Sequence, residues 1–174
     1  VLDATNAGMV FAGCEVFDHG SGTTFEHRTP NADSMSRLPL ALHSNEILIR
    51  PSAVVARKTM LESVGPLDPS FPYCNDLEFW IRAHRSGHRI VFSGSESVRY
   101  RKHPGTMSEK SAELIADLAK VHVRHADWTE IPLAERRAAI ARHFFNAARL
   151  NWRSRPALAG QQFFQALILP RQAR

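Results

Sequence analysis

The chain has 174 residues, 44% apolar and 22% charged, the proportions of a water-exposed globular domain long enough to bury a core. Its formal charge of +5 is uneven: residues 1–98 hold 8 Lys and Arg against 11 Asp and Glu, a balance of −3, and residues 99–174 hold 14 against 6, a balance of +8. Two cysteines far apart, Cys14 and Cys74, argue against a disulfide framework or a zinc-ligand cluster, and with no bilayer-length apolar run and no leader pattern visible the expected setting is reducing and cytoplasmic.

In chain order, Ala7 to Phe17 reads as a strand on its Met, Val and Phe content, Asp18 to Gly22 as a turn, and Thr23 to Phe25 as a returning strand. Pro30 to Ser36 is polar and loop-like, and Arg37 to Leu42 is a short helical piece broken by Pro39. Ile47–Ile49 and Ala53–Val55 suit short buried strands parted by Pro51, which cannot donate within a ladder. Arg57 to Val64 fits a helix closed by Gly65. A Pro-rich loop, Gly65 to Tyr73, leads to a helix starting at Asp76, where Leu77, Trp80, Ile81 and His84 recur at helical spacing and Gly87 ends the run. His88 to Phe92 and Ser97 to His103 read as strands, the second with Arg99, Arg101 and His103 on one side.

Three helices follow. The first has capping-box spacing at Thr106 and Glu109 and uses Leu114, Ile115, Leu118 and Ala119. The second opens at Thr129–Pro132 with Leu133, Ile140, Phe144 and Ala147, and the third runs from Pro156 with Leu158, Phe164, Leu167 and Ile168 to Pro170. The order is mixed α/β first and helical last, with a boundary near Met107: residues 1–107 and 108–174. Trp128 and Trp152 are expected to anchor the helices.

Candidate chemistry concentrates around Asp76. A carboxylate at a helix start is either a plain N-cap or a general base held by free N–H groups and the helix dipole. His103, before Pro104–Gly105, is either a structural imidazole or a ligand for a divalent cation or phosphate oxygen. Arg99 and Arg101 either pair with phosphate or protect a sheet edge. His122 and His125, three apart, form a metal pair or a solvated face, and the latter is the expectation. The basic tail, with Arg136, Arg137, Arg142, Arg149, Arg153 and Arg155, is a solvated face or a surface for an anionic membrane. A nucleic-acid partner rests on that tail alone, no recognition motif supports it, and none is expected.

Three segments in order carry a resemblance. Ser52–Asp68, ending Val64-Gly65-Pro66-Leu67-Asp68, is similar to the strand, basic pair, short helix and "vGgFD" turn of family 2 glycosyltransferases of the GT-A type. Asn75-Asp76-Leu77-Glu78-Phe79-Trp80-Ile81-Arg82 resembles their "ED-x-D-L-W-L-R" segment, and Val98 to Ser108 resembles "v-Y-R-x-H-p-g-S-m-S". The resemblance implies an α/β chain with part of a Rossmann-like GT-A fold, a mixed sheet followed by a helical tail. It implies an inverting transferase with Asp76 as catalytic base, Asn75, Glu78 and Arg101 at the substrates, and His103 at a Mg²⁺ or Mn²⁺ ion. Trp80 and Arg82 would brace the base-bearing helix. The partners would be a nucleoside-diphosphate sugar donor and a glycan or lipid-linked acceptor, at the inner face of the membrane. Asn75 stands where the family usually has Glu, and Glu78 where Asp is commoner. The chain begins without Met, and the family's nucleotide-binding β-α units and Asp-x-Asp motif are expected before Val1, leaving this piece poorly equipped to bind donor alone. The alternative is a non-catalytic glycosyltransferase-like interaction domain.

Overall fold

The computed structural model describes residues 1–105 and 111–172. They form an α/β chain with a mixed sheet, compatible with a Rossmann-like fold, and divide into two compact units: residues 1–68 with 76–105, and residues 69–75 with 111–172.

The first unit is built on strand β1 (Met9–Asp18), whose apolar residues are buried along most of its length. β1 pairs antiparallel with β2 (Thr24–Arg28) and β3 (Val54–Ala56), and parallel with β4 (Ile90–Lys102). The two strands expected over 88–92 and 97–103 are one. Between Phe92 and Val98, β4 carries three more residues than the facing stretch Phe11–Cys14, so a bulge of Ser and Gly joins two well-paired ladders. Gly13 lies at this irregularity, where an added Cβ would stand 2.5 Å from the Thr29 methyl and 3.0 Å from the Arg28 carbonyl oxygen. Only glycine lets β1 pass that close to its neighbour.

Short helices complete the unit: α1 (Ala32–Ser36), α2 (Leu38–His43), α3 (Lys58–Val64) and α4 (Asn75–Arg85). α1 falls where a loop was expected; the Asn31 side chain accepts from the Ser34 N–H and caps it. Ile47–Ile49 is not a strand: Ile47 and Ile49 are buried, but the segment crosses to the core as irregular chain before a 3₁₀ turn at Pro51–Ala53. α3 ends as expected at Gly65, whose φ of 84° would strain any L side chain.

The second unit packs α5 (Ser111–Arg124), α6 (Leu133–Asn151) and α7 (Pro156–Ile168) around Ala119, Ile140, Phe144 and Ala166. The proposed capping pair Thr106 and Glu109 and the boundary at Met107 lie outside the described residues. Buried Asp117 of α5 accepts from the backbone N–H groups of Tyr73 and Cys74, both at 2.9 Å, and so ties loop 69–75 into this unit. Arg136 is not part of a solvated basic face. It is buried and donates to the carbonyls of Ile131 and Ala126, stapling the α5–α6 connection.

Three further expectations change here. His122 and His125 are buried, not solvated; His122 is stacked on His143 with ring centroids 4.9 Å apart. Trp128 is an anchor, but Trp152 is 68% exposed. α7 buries Ala159, Gln162 and Ala166 and leaves Leu158, Phe164 and Leu167 exposed. Its inner face is fixed by a buried amide pair, Asn151 Nδ2 donating to Gln162 Oε1 at 3.0 Å, which turns the larger apolar residues outward.

Candidate active site

The site is assembled at the start of α4. Leu77, Phe79, Trp80 and Ile81 are buried and fix the helix in the first unit. The Trp80 indole N–H donates to the Ile49 carbonyl at 3.2 Å, which holds the irregular segment 47–50 against the helix. Arg82 bonds the Glu78 carboxylate at 3.0 Å to each oxygen and also donates to the carbonyls of Val64 and Pro66. One guanidinium thereby ties α4 to the turn after α3.

Asp76 lies within the first turn of α4, one residue inside its start at Asn75. Its Oδ1 accepts from the adjacent Leu77 N–H at 2.7 Å, not from an N–H two or three residues on as an N-cap carboxylate does. The side chain is half-buried, and burial raises its pKa above the ordinary aspartate value. The Leu77 N–H bond and the charge of Arg50 offset part of that rise. Asp76 opens into a cavity of about 540 Å³ with walls from Leu61, Leu67, Phe79 and Trp80 and a second carboxylate, Glu62, on its lining. A pocket of this size with apolar walls and few polar groups is the usual form of a small-molecule site.

Arg50 is the residue that sequence reasoning missed. Its guanidinium carbon lies 3.5 Å from the Tyr100 ring centroid, its Nε is buried without a hydrogen-bond partner, and its charge is felt at both Asp76 and Glu26. In the sequence it is one Arg before a proline. Its place follows from the Trp80–Ile49 bond and the burial of Ile47 and Ile49, which are tertiary facts.

The other expected site residues divide. Glu78 is 0% exposed with its carboxylate bound to Arg82, so the expectation that it meets substrate is corrected: it braces the helix. Asn75 is the half-buried first residue of α4 and does not line the Asp76 cavity. Arg99 is engaged, donating to Glu15 at 3.0 Å and lying 4.4 Å over the Phe17 ring, which makes it a cross-strand residue. Arg101 is exposed opposite Phe17, with no ion pair among the described residues. His103 follows the end of β4, its Nδ1 2.8 Å from the Pro104 carbonyl, which can only accept. In the neutral ring that leaves Nε2 as the nitrogen with a free lone pair. The His19 ring stands 6.5 Å away, and Asp18 is occupied by the Ser21 N–H and hydroxyl. Neither Arg101 nor His103 lines the Asp76 cavity. Among the described residues no group of three His, Cys, Asp or Glu is placed to hold a metal ion, so the residues present do not by themselves make a divalent-cation site.

Comparison with protein-family models, with curated proteins and with solved structures finds no match for this chain.

Proposed function

We propose that this chain is the acceptor-side part of an inverting GT-A glycosyltransferase with Asp76 as its general base. The observation that carries the reading is one side chain in one place: a half-buried carboxylate of raised pKa, in the first turn of α4, opening into an apolar-walled cavity of about 540 Å³. The motif resemblance around Asn75–Arg82 supports the same assignment.

In this reading an acceptor hydroxyl enters the cavity and hydrogen-bonds to the Asp76 carboxylate. Asp76 takes the hydroxyl proton as the oxygen forms its bond to the anomeric carbon of a nucleotide sugar, and the nucleoside diphosphate leaves with the bonding pair from the opposite face. Burial makes the carboxylate a stronger base than a solvated one, which favours proton removal. Phe79 and Trp80 form apolar walls suited to the faces of a sugar ring, and Arg50 holds positive charge near the base. Glu78, Arg82 and the Trp80–Ile49 bond keep the base in position.

The test is Asp76→Asn in the intact protein, assayed for nucleoside-diphosphate release from a panel of nucleotide sugars in the presence of glycan acceptors. The expected result is loss of about 10²–10⁴-fold in turnover with nucleotide-sugar affinity kept, the range for removal of a general base. Undiminished turnover in the variant would overturn the assignment.

A further inference from the structure

The helical unit carries a surface that the proposed transfer reaction does not use. α7 faces outward with Phe163, Phe164 and Leu167, 48%, 63% and 55% exposed, although its core contacts are Ala159, Gln162 and Ala166. On α6, Arg142, Phe145, Arg149 and Trp152 are spaced three, four and three residues apart, which places them on one stripe of the helix and its first residue beyond. Phe145 lies 6.2 Å from Phe163, ring centroid to centroid, and the two helices enclose an apolar groove of about 320 Å³ edged by Arg149 and Trp152. Arg142, Arg149 and Arg153 are exposed and have no ion pair among the described residues.

We propose that this face docks on an anionic lipid bilayer, its aromatic groove entering the headgroup region and its arginines pairing with lipid phosphates. Aromatic side chains whose outer ends stay wet are suited to the headgroup level, and arginines beside them can reach phosphate while their stems lie along apolar surface. Charge decides between occupants. Beside the groove stand the three exposed arginines Arg142, Arg149 and Arg153, while the one acid of residues 132–172 is Glu135, in the first turn of α6. A second copy packed face to face across a two-fold axis would set this arginine-rich stripe against itself with almost no acid to answer it. No helix among the described residues is long and apolar enough to cross a membrane, so the contact is one of lying on the surface.

Trp152 reports the contact directly, because Trp80 and Trp128 are buried, at 6% and 2% exposure. Iodide quenching of tryptophan fluorescence is measured with vesicles of phosphatidylcholine alone and of phosphatidylcholine mixed with phosphatidylglycerol. The expected result is a blue shift and protection from iodide with the mixed vesicles only, weakening as salt rises. Arg149→Glu with Arg153→Glu should weaken binding roughly tenfold or more, and Phe145→Ser with Phe163→Ser should abolish the blue shift with the far-ultraviolet circular dichroism unchanged. No shift with mixed vesicles at low salt, or equal binding to neutral vesicles, would overturn the proposal. So would Trp152 already shielded in vesicle-free solution at a dimer mass, which would assign the face to a second copy.

Discussion

Helices α4 and α7 have similar lengths and contrasting burial. α4 points Leu77, Phe79, Trp80 and Ile81 inward and buries one charged group, Glu78, against Arg82. α7 points small residues and one amide inward and leaves its aromatic residues outside. An apolar stripe at helical spacing therefore identifies a face that avoids water, without saying what will cover it. In α4 the apolar side chains are covered by the chain's own core, and a half-buried carboxylate, Asp76, opens from its first turn into a cavity. In α7 the described residues supply no cover for Phe163, Phe164 and Leu167.

Substitutions can break this contrast, and the largest effect belongs to the site. Asp76→Asn should remove transfer while leaving the fold intact and, near neutral pH, raising the thermal midpoint. The sign follows from the raised pKa: Asp76 binds its proton more tightly folded than unfolded, so its contribution to stability is fully present below the ordinary aspartate pKa and is lost as pH rises through the folded value. Asparagine is neutral throughout, so the gain over wild type should vanish below about pH 3.8, the ordinary value. A thermal melt series from pH 3 to 8 checks this.

Trp80→Ala should cost about 3–5 kcal/mol in urea unfolding of the chain, since it empties a core position and strands the Ile49 carbonyl. Glu78→Ala should cost about 3 kcal/mol by the same measurement, because Arg82 loses the carboxylate that it grips. The helical unit should show its own pH response. Burial, with a smaller contribution from the charge of Arg142, lowers the His143 pKa to about 4 from an ordinary 6.5. The unfolded chain then binds the extra proton between those values, so stability is full above pH 6.5 and falls toward pH 4, by on the order of 2–3 kcal/mol. His143→Phe should flatten that slope in denaturant titrations. At the small end, Phe164→Ser on the outer face of α7 should change stability by no more than about 0.5 kcal/mol. A loss comparable to Trp80→Ala would show that the two helices are packed alike after all.

Part of this was legible in the residues themselves. Helical spacing placed α3, α4, α6 and α7 within a few residues of their ends, because Gly65, Pro132 and Pro156 act locally on the backbone. Val and Phe content found β1, and the short acidic stretch Asn75–Glu78 marked the candidate site. Local chemistry gave these because a cap, a turn or a strand former acts on its immediate neighbours.

Other features required the fold. His88–Phe92 and Ser97–His103 looked like two strands because the intervening serines and glycine read as a break, and only pairing along β1 joins them. Glu78 looked like a substrate ligand until Arg82 closed on it, and Arg50 came near Asp76 through a bond from Trp80 to a carbonyl 31 residues earlier. The order of residues by itself determined which faces avoid water and where the chain turns. Which faces are covered, which charges are answered and which carboxylate is left open to a cavity were decided by tertiary contact, since burial and pairing depend on what distant segments bring alongside.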